Sequence, residues 1–231
     1  MQRAADGTGR PVDWGRVETV LLDMDGTLLD LHFDNHFWLE HVPRRYAEAR
    51  GLPLEQAREV LMARYRAVEG TMQWYCIDYW SRELGLDIAR LKEEVAHLIA
   101  VHPGVVPFLR ALRASGRRAV LVTNAHGRSL ELKLRRTRLG RHLDAVVCAH
   151  DLGEPKESAG FWPRLRRREP FDPEATLLID DNPAVLAAAH RYGIGQLLAV
   201  RRPDSRRPPR CVAGYAAVDG FAALLPVPPR G

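Results

Sequence analysis

The sequence predicts an α/β protein, a Rossmann-like parallel sheet interrupted by an all-helical insert. Three observations carry this. From residue 105 to residue 200, short apolar runs alternate with helical patterning, the rhythm of a parallel sheet covered by helices on both faces. Residues 31–101 are helical in pattern with no strand signal, and they separate the first apolar run from the others. The chain has 231 residues, enough for one domain of ordinary size plus an insertion.

The elements follow in order. Val17–Leu22 is a short continuous apolar run and reads as a buried strand. Asp34–Arg50 and Leu54–Val68 have helical spacing and stop at Gly51 and before Gly70. Thr71–Leu84 is an aromatic-rich helix that stops at Gly85, and Asp87 caps another that runs to about Val101. Helices are then expected at Val105–Ala114, Ser129–Arg138, Ser158–Arg168 and Pro183–Tyr192. Strands are expected at Ala119–Val122, Ala145–Cys148, Thr176–Ile179 and Gln196–Val200. The tail from Pro203 is rich in proline and arginine, with one apolar segment, Phe221–Leu225. The organisation read from this is a disordered lead (1–16), a core (17–30 and 102–231) and a helical cap (31–101).

Composition narrows the function classes. No apolar run reaches the ~18 residues of a membrane span, and the first 16 residues hold no apolar h-region. No membrane partner is expected, and the cytoplasm is the expected location. Cys76, Cys148 and Cys211 are odd in number and lack CxxC pairing, which argues against a disulfide framework or a zinc site. The net charge is +5, but lysine appears only at Lys92, Lys133 and Lys156. The basic clusters Arg164–Arg168 and Arg201–Arg210 are separate and carry no interleaved aromatics. They read as a solvated surface rather than a nucleic-acid footprint. An anionic small substrate suits the same balance.

Ligands in open α/β folds bind beyond the carboxyl ends of the strands, so the residues after each strand carry the chemistry. The first strand ends in VLLDMDGTLLD, with Asp23 and Asp25 one residue apart. Like charges so close need a cation, a proton or a phosphoryl group to resolve them. Thr123 and Asn124 follow the second expected strand, and Asp180 and Asp181 the strand Thr176–Ile179. Lys156, in GEPKES, opens an expected helix. An acid after a strand is by itself most often a turn residue or helix cap. All four groups, in order, at strand ends of one alternating pattern form a more specific signal. Clustered carboxylates on rigid strand ends suit octahedral Mg²⁺ with room for substrate phosphate.

DMDGT, TN, PK and IDD resemble, in order, the four motifs of the haloacid-dehalogenase superfamily, over about Val17 to Val200. The second aspartate of the first motif marks its phosphatase branch. The resemblance implies that Asp23 is a nucleophile that forms an aspartyl-phosphate. It implies that Asp25 is the acid and base, its carbonyl also on Mg²⁺. Thr123 and the Asn124 backbone would hold phosphoryl oxygens, and Lys156 would balance charge on Asp23 and the phosphate. Asp181 would be a direct metal ligand and Asp180 its support. The insert corresponds to the superfamily's C1-type cap. TVLLDMDGTLLDLHFDNHFWLEHVP, WYCIDYWSRELGLD and LVTNAH further resemble the superfamily's bacterial GMP/IMP nucleotidases. That implies Mg²⁺-dependent hydrolysis of purine nucleoside 5′-monophosphates. A phosphosugar phosphatase or phosphomutase of the same superfamily is the alternative, and a non-catalytic phosphometabolite-binding regulator is the alternative of another class.

Within the cap, Trp74, Tyr75, Tyr79 and Trp80 read either as core or as a base-stacking surface. Asp34 and Asn35 are expected at the mouth of the site as substrate contacts, although Asp34 could simply cap its helix. His126 is expected on an exposed loop and Cys148 in the core. Lys133, on an expected helix, is read as a position that tolerates arginine.

Overall fold

The computed structural model describes residues 11–230. Six parallel strands form one sheet: β1 (Thr19–Leu22), β2 (Arg118–Thr123), β3 (Ala145–Cys148), β4 (Thr176–Asp180), β5 (Gln196–Val200) and β6 (Ala216–Val218). Their spatial order is β3-β2-β1-β4-β5-β6. Every residue of β1 and β4 is buried, which explains their unbroken apolar runs. A parallel strand covered on both faces has no polar side to show. Val20 and Leu22 pack on one face with Phe108 and Phe221, and Leu21 packs on the other with Phe161, Trp162 and Leu186.

The chain moves from β1 to β2 on one side and then to β4 on the other. The order therefore reverses at β1, the place where such folds open a binding crevice. Leu22 is level with Leu121 of β2 and with Ile179 of β4. Asp23 and Asp180 thus stand side by side at the carboxyl ends of β1 and β4, with Thr123, the last residue of β2, one position further along.

The insert carries its own core of Phe33, Phe37, Leu61, Trp80, Leu84 and Ile88. It begins with α1 (His32–His36), a π turn (Phe37–His41) and α2 (Val42–Arg50). The sequence predicted one helix from Asp34, and the run is indeed continuous. Pro43 sits inside it without an N–H, and the wider turn just before it absorbs the missing bond. α3 (Leu54–Val68) has its expected bounds. The expected helix Thr71–Leu84 is instead two, α4 (Met72–Tyr75) and α5 (Ile77–Leu84), broken at the extended residue Cys76. No glycine or proline marks that break. Asp87 caps α6 (Ile88–Glu94) by accepting from the Arg90 amide at 3.1 Å. The helix ends short of Val101, which bridges to Leu29 instead.

The core helices are α7 (Val105–Ala114), α8 (Gly127–Thr137), α9 (Ala149–Leu152), α10 (Phe161–Arg168) and α11 (Pro183–Tyr192). Lys156 does not open α10; it lies in the turn five residues before it. Of the lead expected to be disordered, residues 1–10 lie outside the described residues. Residues 11–16 are packed: Val12 and Trp14 join the core, with Trp14 against Phe108 at 6.2 Å between ring centres. Two apolar residues in six are too few to show a periodicity. The tail is more built than its composition suggests. It adds β6 and buries Phe221 and Leu224. No described helix is long and apolar enough to cross a membrane.

Candidate active site

A cavity of about 510 Å³ opens where the helical insert meets the carboxyl ends of β1, β2 and β4. Asp23, Asp25, Thr123, Asn124, Lys156, Asp180 and Asp181 form its floor. The four groups read from the strand ends therefore converge. Lys156 Nζ lies 2.5 Å from Asp23 Oδ1 and 2.7 Å from Asp180 Oδ2. The Asp180 Oδ1 atom accepts from the Asn182 amide at 2.9 Å, so both of its oxygens are engaged. Asp23 Oδ2 is buried with no partner among the described residues.

Asp181 packs on Gly26. A Cβ at Gly26 would fall 2.7 Å from Asp181 Cγ, and Gly26 holds φ +86°, a conformation open mainly to glycine. The DxDG turn is therefore fixed by contact as well as by backbone.

One carboxylate oxygen from each of Asp23, Asp180 and Asp181 lies within 4.8 Å of the others. Burial pushes the Asp23 carboxyl up to about 6; Lys156 opposes the shift and Asp180 adds to it. Burial also raises Asp180, and it raises Asp181 well above the usual range, with Asp23 and Asp180 adding to the latter. Three carboxylates that resist ionisation together, one with a bare buried oxygen, form a donor set that fits a hard divalent cation. The residues present thus suit Mg²⁺.

Asn124 and Glu157 brace the floor. Asn124 accepts from the Lys156 amide at 2.9 Å and donates to Glu157 at 2.9 Å. Glu157 also accepts from Asn182 at 3.1 Å and from the Tyr75 hydroxyl of the insert at 2.6 Å. Thr123 Oγ1 accepts from the Ala125 amide at 3.0 Å.

A second ionic cluster adjoins the first. Lys133 Nζ lies 2.6 Å from Asp25 and 2.6 Å from Asp34, and Lys92 lies 2.8 Å from the other Asp34 oxygen. The expectation that Lys133 tolerates arginine is thereby corrected: the side chain is 1% exposed and holds two carboxylates. Burial lifts Asp25 to about 6 against the pull of Lys133. Burial would raise Asp34 too, but Lys133 and Lys92 outweigh it and hold Asp34 well below the usual range. Lys92 is lowered by burial and faces Phe33, Phe37 and Trp38 at 4.9, 4.5 and 5.6 Å.

Asp34 does line the cavity, but it does not cap α1; Asp30 does that work by accepting from the His32 amide at 3.0 Å. Asn35 also lines the cavity and donates to Asp204 of the tail at 2.6 Å. The aromatic group divides. Trp80 is core, at 1% exposure, while the partly open Trp74 and Tyr75 face the cavity beside Trp38 and Tyr65. Tyr79 is outside the lining. His126 is no free loop histidine; its side chain is 16% exposed and borders the cavity. Cys148 is buried, as expected.

Sequence reasoning missed Lys92, Lys133, Glu157 and Arg210, whose guanidinium reaches Asp181 at 3.3 Å. One compositional signal pointed at the first two. The chain has three lysines among its 34 basic residues, and all three line this cavity.

Comparison with known proteins agrees with this geometry. The family model described as "Hydrolase: haloacid dehalogenase-like hydrolase" matches residues 17–193. The GMP/IMP nucleotidase YrfG of Escherichia coli (strain K12) is 40% identical over 93% of this chain and 97% of its own length. A HAD phosphatase from Thermococcus onnurineus superposes with a TM-score of 0.76 at 22% identity, covering 90% of this chain and 96% of that one. The HAD-hydrolase YfnB from Bacillus subtilis, a structure bound to magnesium, superposes with a TM-score of 0.59 at 19% identity over 90% of this chain and 97% of its own. Motif order, sheet topology and these likenesses lead to one statement: the chain belongs to the haloacid dehalogenase-like hydrolases.

Proposed function

We propose that this hydrolase releases phosphate from purine nucleoside 5′-monophosphates such as GMP and IMP, with residues 31–101 acting as a cap over the site. The observation that carries the chemistry is the pairing of Asp23 with Lys156 beneath a cavity edged by Asp25. The substrate class rests on the 40% identity, along nearly the whole chain, to a GMP/IMP nucleotidase.

The residues divide the work as follows. Lys156 holds Asp23 Oδ1 and leaves Oδ2 unpartnered, so one oxygen is free for attack on phosphorus. As the new O–P bond forms, the bond from phosphorus to the ribose 5′-oxygen breaks. Asp25 gives that oxygen its proton. A carboxyl near pKa 6 is poised to give a proton and take one back at neutral pH. In the second step Asp25 takes a proton from water, the water oxygen bonds to phosphorus, and Asp23 leaves as carboxylate. Thr123 and the Asn124 backbone hold the phosphoryl oxygens, the Asn124 side chain being engaged by Lys156 and Glu157, and Lys156 offsets the phosphoryl charge. Asp23, Asp181 and the carbonyl of Asp25 would hold Mg²⁺, with Asp180 supporting them. Bound there, Mg²⁺ supplies charge neutralisation and orientation to the phosphoryl group. The catalytic floor reads only phosphate, so base selection falls to the cap, where the partly open Trp38 and Trp74 line the cavity.

Phosphate release from GMP, IMP, AMP, UMP and ribose 5-phosphate tests the reading. The highest kcat/KM is expected for GMP or IMP, and Asp23→Asn should fall to background on all. A preference for ribose 5-phosphate would overturn the substrate class while leaving the chemistry intact.

A further inference from the structure

Beside the cavity, outside the aspartate floor, Cys76, His126 and His150 come together. Each offers a ligand atom, and these atoms lie within 4.8 Å of one another. Sequence spacing argued against a zinc site, because the three residues belong to three separate elements. Cys76 is the extended link between α4 and α5, His126 precedes α8, and His150 stands in α9. Only the docking of the helical insert onto the sheet brings the thiol to the imidazoles.

One feature distinguishes this group from ordinary packing. His150 Nε2 is buried and accepts or donates no hydrogen bond among the described residues, although the backbone of Asn124 and Tyr75 lies near the ring. A buried polar atom left bare costs stability, so it calls for an explanation. The His126 and His150 rings also meet edge to face at 4.9 Å. Burial lowers the His150 pKa, with His126 adding to the effect, and a neutral ring keeps a lone pair to donate. Asp78 Oδ2 lies 3.6 Å from His126 Nε2 and its other oxygen pairs with Arg128 at 3.4 Å, so it stands outside the three-residue group.

We propose that Cys76, His126 and His150 bind a divalent cation of the zinc class, with a water molecule as the fourth ligand. One sulfur and two imidazole nitrogens form a borderline-soft, tetrahedral donor set that suits Zn²⁺ far better than Mg²⁺. Ligand separations around such an ion are roughly 3.3–3.6 Å, a contraction that small side-chain rotations supply. Cys76 comes from the insert, and His126 and His150 from the sheet side. The bound ion would therefore tie the two together at the edge of the cavity.

Cobalt separates this site from the aspartate cluster. With the protein reduced and in excess Mg²⁺, Co²⁺ is expected to bind with a near-ultraviolet thiolate-to-cobalt charge-transfer band and the visible bands of tetrahedral cobalt. Carboxylates alone give no charge-transfer band. One equivalent of Zn²⁺ should erase it. Cys76→Ser should abolish the band, and His150→Ala should weaken Co²⁺ binding at least tenfold. Asp23→Asn and Cys211→Ser should keep it, and circular dichroism checks that each variant folds. No band in the wild-type protein, or a band that survives in Cys76→Ser, overturns the proposal.

Discussion

Replacing Lys133 by methionine removes one ammonium and leaves two buried carboxylates to find another answer. The two are not equally exposed to the loss. Asp34 keeps Lys92 at 2.8 Å, whereas Lys133 is the sole cation within salt-bridge distance of Asp25 among the described residues. Breaking a buried pair by deleting one partner typically costs about 3–5 kcal/mol. Asp25 is 21% exposed at its side chain and can take up a proton, so the lower end applies, about 3 kcal/mol. The pH dependence is the sharper test. In the wild-type protein Asp25 titrates at about 6, and without Lys133 its pKa rises further. Between about pH 6 and pH 7.5 the folded variant then binds a proton that the folded wild type does not. The variant's deficit should shrink by up to about 1.4 kcal/mol per pH unit as pH falls through that window, then level off. Urea unfolding of both proteins with EDTA, at several pH values from 5 to 7.5, measures this. A deficit below about 0.5 kcal/mol at pH 7.5, the scale of an ordinary surface change, would refute the reasoning. So would a deficit that does not depend on pH.

Lys156→Arg keeps the charge but puts a wide planar group where one nitrogen meets Asp23 and Asp180. We expect kcat/KM to fall at least about tenfold, and wild-type activity would dismiss Lys156 as the charge-balancing group. Gly26→Ala forces a methyl to within 2.7 Å of Asp181 Cγ at a backbone φ of +86°. A stability loss of about 1–3 kcal/mol with weaker Mg²⁺ activation should follow, and an unchanged Mg²⁺ titration would exclude the contact as a determinant. In metal-free protein, Asp23 and Asp25 both titrate near 6, above their unfolded values. Their ionisation opposes folding, so stability should fall as pH rises from about 4 to about 6. Mg²⁺ should accordingly raise the melting temperature more at pH 7.5 than at pH 5, and equal gains would contradict this.

The parts legible in the sequence are those whose signal is local. Pro183–Tyr192 has the bounds read from the sequence because Asn182 caps its start and Gly193 its end. Asp23 and Asp180 stand at strand ends because a strand buried on both faces ends where the first charge appears. The illegible parts depend on partners far along the chain. Lys133 sits on a helix whose spacing makes it look solvated, and its partner Asp25 is 108 positions away. Lys92 and Asp34 are 58 positions apart. Cys76 breaks a helix with no proline or glycine to announce it. The tail's Arg210 and Asp204 reach Asp181 and Asn35 from a segment whose composition signals only surface.

The division of labour between the two basic side chains follows from their shapes. Arg117 is buried, and its fork meets three backbone carbonyls: Val17 at 2.9 Å, Pro228 at 2.6 Å and Trp14 at 2.7 Å. A planar group with several fixed donors suits oxygens that arrive from different directions and carry no full charge. Lys156 and Lys133 each stand between two carboxylates instead. An ammonium is a compact charge on a thin stem, so two anions can share it and leave the second oxygens of Asp23 and Asp25 open, while those of Asp180 and Asp34 are held by the Asn182 amide and Lys92. That openness is what a site for a cation and a phosphoryl group requires. Arginine could supply the charge there, but its five donors would occupy the oxygens that the chemistry needs. In a chain that uses arginine for nearly all of its surface charge, the three positions that carry lysine are therefore the ones where a point charge, and not a fork, fits the carboxylates.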